Sequence, residues 1–404
     1  MAKTRILAGL DVGSSTIKTL VAQKTVDEES LQILSQSREA ASGIRKGVVV
    51  NVEEVARIVA SCVKKAEEPI RKKINGVYVN IGGSHIFFTS SRGLVSVSRA
   101  DQKISQEDVD RVIQAAQTFS LPSNTKILEV FPKEFIVDGE KGIKEPLGMQ
   151  GVRLEVEALA LGCFSPYLKN LTQAVLNSGL QINDLILTPL ASSRAVLTPR
   201  EKELGVALLD IGASTTGLAV FEEENLIHTA IFPLGSANIT NDVAILLRID
   251  IDIAERIKLE FGSCVYRGTN KKEKIRGEFL PEPLVFSQKN LVEIIEARVS
   301  EIFDQVNREL KKISRQGLLP AGIVLTGGGA KLPKIVELAK KELKLPCRIG
   351  LAQGFFPSQE DPSLSTVCGL ILCGLDLEEE GISRLRFGQG IGAKIKRIFK
   401  IFIP

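Results

Sequence analysis

A short polar turn flanked by apolar runs occurs twice, far apart, in this 404-residue chain, and that repetition constrains the fold more than any other feature. The first copy reads Leu10-Asp11-Val12-Gly13-Ser14-Ser15-Thr16, and the second Leu209-Asp210-Ile211-Gly212-Ala213-Ser214-Thr215. Apolar stretches precede each copy (Ile6 to Leu10, Val206 to Leu209) and follow it (Ile17 to Ala22, Gly217 to Phe221). Short apolar runs bounded by turn residues predict buried strands, so each copy reads as strand, tight turn, strand. Glycine lets the backbone approach an anion closely. Successive turn N–H groups form an anion-binding nest, and the neighbouring hydroxyls add donors. Each aspartate can hold a magnesium ion, directly or through its waters. Two such hairpins facing each other would grip a nucleotide's phosphates from both sides.

A third segment points the same way. Ile323-Val324-Leu325-Thr326 is an apolar run entering the glycine triplet Gly327-Gly328-Gly329, with a helix-like stretch from Pro333 to Leu343 beyond it. In third place after two phosphate hairpins, it suggests a floor for a nucleoside.

Charge becomes informative once it is located. The formal net charge is +4, but residues 384–404 carry Arg384, Arg386, Lys394, Lys396, Arg397 and Lys400 and no acidic residue. The remainder holds 46 basic against 48 acidic residues, near −2. Within this tail Ile391, Ile395, Ile398, Phe399 and Phe402 recur at helical spacing on one face. Lys396, Arg397 and Lys400 take the other side, with Lys394 at its edge. Gly388, Gly390 and Gly392 supply a flexible lead after Glu378-Glu379-Glu380. A tethered cationic amphipathic helix is what an interfacial membrane anchor requires, each basic residue gaining about 1 kcal/mol against an anionic leaflet. Docking of this helix on the protein's own core is the alternative.

No apolar run reaches the length of a transmembrane helix, and the N-terminus, which enters a strand almost at once, lacks a signal-peptide layout. The six cysteines are scattered without a CxxC pair, which predicts reduced, mostly buried thiols. With only His85 and His228 available, a histidine-based zinc site is not expected, and both read as strand residues.

The ordered set of two phosphate hairpins and a glycine-rich turn resembles the actin, Hsp70 and sugar-kinase superfamily from end to end. Within it the chain is most similar to the FtsA family. That resemblance rests also on Gly47-Val48-Val49-Val50-Asn51, Gly142-Ile143-Lys144-Glu145-Pro146-Leu147-Gly148, Leu190-Ala191-Ser192-Ser193-Arg194-Ala195-Val196-Leu197, Ile294-Ile295-Glu296-Ala297-Arg298 and the final helix. It implies an α/β fold of duplicated, ribonuclease H-like actin domains with an inserted SHS2-like subdomain. The implied layout has a first nucleotide-binding half (1A) at 1–83, 162–204 and 363–378, with the inserted subdomain, 1C, at 84–161. A second half (2A) covers 205–235 and 302–362, with its own insert, 2B, at 236–301. A linker at 379–390 and a membrane-targeting helix at 391–404 complete it. Locally, Asn51 should cap a helix to about Glu67, Ser105-Gln106-Glu107-Asp108 should form a capping box, and Ser165-Pro166 should cap a helix ending at Gly179.

The resemblance also distributes roles. Gly13, Ser14, Ser15, Thr16 and Lys18 of the first half, and Gly212, Ala213, Ser214 and Thr215 of the second, would hold the phosphates of ATP. Asp11 and Asp210 would hold Mg2+. Gly235, Ser236 and Asn238 would pass beside the ribose. Glu255 and Lys258 would hold ribose and adenine, completed by Gly327, Gly328, Gly329 and Lys331. As partners it implies the C-terminal peptide of FtsZ, at Arg298 and Lys289, further copies of the chain in a filament, anionic lipids, and later division proteins on the 1C-type insert. For Lys289 a solvated helix start is the competing reading. The implied place is the cytoplasmic face of the inner membrane at the division septum. The position of Lys18, later than in many FtsA sequences, is similar to PilM, an actin-like pilus-assembly scaffold, which supplies the alternative function. An MreB-type scaffold fits less well.

Hydrolysis is argued against by the helix expected at Pro189 to Leu197. Actin-like ATPases orient the attacking water with a glutamine, glutamate or aspartate there, whereas this helix offers Ser192, Ser193 and Arg194. Glu201 and Glu203 fall after it, in what reads as a loop. The expectation is ATP binding with slow hydrolysis or none.

Overall fold

The computed structural model describes residues 5–25, 30–118, 123–266, 272–275 and 284–379. The expected membrane helix and all but the first residue of its linker lie outside the described residues.

Both expected hairpins form, and each seeds a sheet. Arg5–Val12 pairs antiparallel with Thr16–Lys24, placing Asp11 opposite Lys18. On its other side Arg5–Val12 runs parallel to Gly76–Ile81, which runs parallel to Gln181–Leu187. Leu31–Ala40 and the short Phe355–Phe356 complete this six-stranded sheet. The second hairpin, Val206–Ile211 with Thr216–Glu222, repeats the plan: Asn225–Phe232 extends it antiparallel, and Gly322–Thr326 and Cys347–Ile349 extend it parallel. The central strands are buried throughout, from Leu7 to Val12 and from Val206 to Ile211. This is why they read as continuous apolar runs instead of alternating ones. Each sheet anchors its own hydrophobic core.

Helices cover the sheets. Val52–Ile70 packs on the first sheet, with the Asn51 side chain accepting from the Glu54 N–H at 3.2 Å. The helix Thr188–Val196 links the two halves and crosses Ser365–Glu379 closely.

Between the first two parallel strands and the linking helix, the chain makes an insert with a third core. Its antiparallel sheet runs Ile86–Ser96, Arg153–Phe164, Thr125–Val137, Glu140–Ile143, and the helix Gln106–Ala115 packs against it. The capping box is complete: Asp108 N–H donates to Ser105 Oγ, and Ser105 N–H donates to Asp108 Oδ2. The second half carries helices Ser236–Leu247 and Ile251–Phe261, the strand pair Lys272–Ile275 and Leu284–Ser287, and the 25-residue helix Gln288–Lys312.

Several local expectations need correction. Ser165 does not cap its helix: the strand Arg153–Phe164 runs directly into Ser165–Asn177, Phe164 is the cap, and Pro166 presets the first turn. Glu201 lies in a short helix, Pro199–Leu204, not a loop, because Thr198 and Glu201 form a capping box. His228 is a strand residue, but His85 sits in the turn before Ile86–Ser96. Burial with neither ring nitrogen partnered holds that imidazole down at about 4, so it is neutral. All six cysteines are free and buried, and no helix among the described residues is long and apolar enough to cross a membrane.

Candidate functional site

The hairpin turns of the two halves face each other across a cleft of about 320 Å3. From the first turn Asp11, Gly13, Ser14, Ser15, Thr16 and Lys18 line it, and from the second Asp210, Gly212, Ala213 and Thr215. Ser236, Glu255, Lys258, Gly327, Gly328, Gly329 and Lys331 line it from the second half. The two turns come into contact at their tips, where Ser214 Oγ donates to Ser14 Oγ at 2.6 Å. A phosphate between the turns would accept from both hydroxyls in place of that mutual bond.

Ser214, Gly235 and Asn238 are not among the lining residues. Asn238 folds back on its own helix start, accepting from the Gly235 N–H at 2.9 Å. A helix N-terminus has unpaired donors, and a short amide side chain at that position satisfies one locally before it can reach a ligand. Glu255 and Lys258, one turn apart on Ile251–Phe261, pair at 2.6 Å, and Thr240 bonds both. Lys258 is buried and Glu255 partly exposed, so the carboxylate is the more accessible member.

The glycine triplet packs tightly behind the second aspartate. Gly327 has φ +82°, and a Cβ there would collide with Asp210 Oδ1 and the Ile211 carbonyl. Only glycine permits both that backbone conformation and that approach.

The two aspartates are almost fully buried, and side chains from neighbouring strands and from the helices Thr188–Val196 and Ser365–Glu379 bond to them. Asp11 accepts from Asn80 Nδ2 at 2.9 Å on one oxygen and from Lys18 Nζ at 2.8 Å on the other. Asp210 Oδ2 accepts from Ser192 Oγ and from Thr366 Oγ1, the latter at 3.1 Å. Burial raises the Asp210 carboxyl above its usual range; the Ser192 bond works against this, and the Asp11 charge adds to the rise. Two neighbouring buried carboxylates of this kind suit a divalent cation. No group of three or more acidic, histidine or cysteine ligands occurs among the described residues. One or two carboxylates, completed by phosphate oxygens and waters, are a ligand set that magnesium accepts. Because both Asp11 oxygens already accept side-chain bonds, contact through water is the easier mode there.

Lys18 is thus tied to Asp11 instead of extending freely into the cleft. Arg298 lies outside the cleft lining, held by Asp242 in a two-point pair at 2.6 and 2.9 Å and by Glu301. Lys289 sits 3.7 Å from Glu293 and is half exposed.

Sequence reasoning did not place Asn80, Ser192, Thr366 or Arg38 at the site. Asn80 had a signal, a lone amide inside the apolar strand Gly76–Ile81, where a buried polar group implies a partner. Ser192 and Thr366 had none. They sit on two helices distant in sequence, and only their crossing brings both hydroxyls to Asp210.

Comparisons with known proteins agree with this architecture. The family model for cell division protein FtsA matches residues 207–369, and that for the SHS2 domain inserted in FtsA matches residues 83–161. The chain is 35% identical to cell division protein FtsA of Pseudomonas aeruginosa over 94% of its length and 91% of the relative's. The FtsA proteins of Bacillus subtilis (36% identity; 92% of this chain, 84% of that one) and Escherichia coli (30%; 98% and 96%) are similar along nearly the same span. Among solved structures, the PilM–PilN type IV pilus biogenesis complex aligns with TM-score 0.67 at 17% identity, covering 91% of this chain and 98% of that one. MreB5 of Spiroplasma citri bound to ADP aligns with TM-score 0.57 at 12% identity, covering 94% and 99%. At such identities these two establish the actin-like fold and nothing narrower. The full-length relatives go further: the chain belongs to the FtsA family of cell division proteins.

Proposed function

We propose that this chain is an ATP-binding, actin-like cell division protein that polymerises on the cytoplasmic membrane and tethers the FtsZ ring there. Anchoring is by the amphipathic helix at 391–404, and the insert at 84–161 recruits later division proteins. The observation that carries the nucleotide part is the facing pair of serine-rich turns over two buried aspartates in one cleft. Backbone and hydroxyl donors of both turns bind the phosphates, and Glu255 binds the ribose. Asp11 and Asp210 hold Mg2+, which when bound neutralises phosphate charge. Closing the two halves on this ligand favours one relative orientation of the domains, and with it filament contacts.

Hydrolysis is slow in this reading. On the helix Thr188–Val196, Ser192 is committed to Asp210 and Arg194 to Asp376. Glu201 is held by Arg348 at 2.8 Å. Asn80, an amide in the cleft wall, is fixed between the Val12 N–H and Asp11. In this reading none of them serves to orient an attacking water. Steady-state turnover above about one per second would contradict this.

For the partner, Arg298 offers a guanidinium suited to an acidic peptide once Asp242 releases it; Lys289 is on the same helix but more than two turns away, so it would meet a different part of such a peptide. The decisive test is co-sedimentation with anionic liposomes, with and without ATP, comparing the intact chain with one truncated after Gly388. Binding that vanishes on truncation supports the adaptor reading. Equal binding by both, or by neither, refutes the anchor.

A further inference from the structure

The mouth of the cleft carries a charge arrangement that the phosphate turns do not explain. Arg38, on strand Leu31–Ala40, stands directly opposite Lys18 in the sheet register, and both line the cleft. Like charges opposed on neighbouring strands repel unless anions accompany them. Lys18 has its own partner in Asp11 and is only 11% exposed. Arg38 is 47% exposed; its guanidinium donates to Ser363 Oγ at 2.9 Å and lies 3.6 Å from Asp361. Asp361 is also 3.3 Å from Lys331, which follows the glycine triplet on the opposite wall. One carboxylate therefore serves two cations, one from each half of the molecule. Asp361 is itself outside the cleft lining, whereas Arg38, Lys331 and Ser363 are in it. One carboxylate against two cations leaves one positive charge in excess, and the cations, not the anion, line the cavity.

We propose that Arg38 and Lys331, held by Asp361 as a positioning residue, form a second anion subsite that binds the phosphate chain of the nucleotide from the cleft mouth. The inference rests on the nucleotide reading above and adds to it a cation pair drawn from both halves. Arginine is the better member for this task, because its planar fork can donate two parallel bonds to a phosphate while keeping Ser363. Binding through these two residues also joins the walls, since each belongs to a different sheet's half.

The test is titration of the intact chain, with magnesium, against ATP, ADP and adenosine. Arg38→Ala should weaken ATP and ADP by about tenfold, the size of one charge-assisted contact, and leave adenosine unchanged. Arg38→Lys should recover part of that loss, because a point charge replaces the fork. Asp361→Asn should weaken ATP more than adenosine. Equal losses for all three ligands in Arg38→Ala would make the residue structural and overturn the proposal. So would unchanged ATP affinity in Arg38→Ala, or tighter ATP binding by Asp361→Asn, which would mean that the carboxylate competes with phosphate. If the unsubstituted chain bound neither ATP nor ADP, the nucleotide reading itself would fall, and this subsite with it.

Discussion

Gly369→Ala would be a one-carbon change with a long reach. Gly369 lies on Ser365–Glu379 where that helix crosses Thr188–Val196, and a Cβ there would fall well inside contact distance of the Ala191 carbonyl oxygen. The obstacle is backbone, so no side chain can swing aside. Restoring an ordinary C···O separation of about 3.3 Å requires the helices to part by more than about 1 Å. Such overpacking costs about 1–3 kcal/mol. Ser192 follows Ala191 directly, and Thr366 lies one turn before Gly369; both donate to Asp210. A retreat of that size takes the 3.1 Å Thr366 bond beyond hydrogen-bonding range. Each bond lost from a buried carboxylate removes about 1.5–3 kcal/mol. The expected result is a melting temperature lower by several degrees and Mg-ATP affinity reduced by more than about tenfold, measured by thermal denaturation and by nucleotide titration with and without magnesium. A variant that melted lower but bound Mg-ATP normally would show that the helix crossing does not position Asp210. Normal melting and normal binding would refute the packing argument altogether.

Glu129, buried in strand Thr125–Val137 opposite Leu161, has its carboxyl pushed well above the usual range by burial, and the charge of Asp184 adds to this. A raised folded value means that the native state holds the proton more tightly than the unfolded chain. Stability is therefore lost as pH rises through that raised value. Glu129→Gln should remove this slope and raise the melting temperature at neutral pH by about a few degrees; melting curves from pH 5 to 8 with unchanged slope would contradict it. Gly47 has φ +73°, a side chain there would press on the Gly82 carbonyl at 2.5 Å, and its N–H donates to Ser14 Oγ at 3.1 Å. Gly47→Ala should cost about 1–3 kcal/mol and disturb Ser14, detected as lower stability together with weaker ATP binding; retention of both would show the loop to be unconstrained. In the proposed partner reading, Asp242→Asn loosens the two-point hold on Arg298 and should raise affinity for the C-terminal peptide of FtsZ, read by fluorescence anisotropy. A lowered affinity would mean that the pair presents Arg298 instead of restraining it.

The hairpins, the glycine triplet and the caps at Asn51 and Ser105 were legible because each is a local device. A buried strand needs an uninterrupted apolar run, a tight turn needs glycine and small polar residues, and a cap needs a short oxygen-bearing side chain at a set spacing. Their duplication placed two phosphate-type turns in one chain before any fold was known. Sequence also supplied the family resemblance that the full-length relatives bear out. Where a side chain's partner lies elsewhere in the fold, sequence was silent about it. Strand register sets Lys18, expected at the phosphates, across from Asp11, with which it pairs while still lining the cleft. The segment of Asn238 was expected beside the ribose, and the oxygen of that side chain bonds the start of its own helix.

Sequence alone therefore determined the duplicated strand–turn–strand units, the glycine-rich third turn and the residue types that line the cleft, because short-range sterics and hydrophobic patterning act over a few residues. Only the tertiary structure decided which charges meet. Ser192 and Thr366 on Asp210, Asn80 on Asp11, and Asp361 between Arg38 and Lys331 all join residues brought together by helix crossing and sheet closure. Electrostatic and hydrogen-bonding energies depend on distances of a few ångström between such groups, and the order of residues along a chain does not contain those distances until it folds.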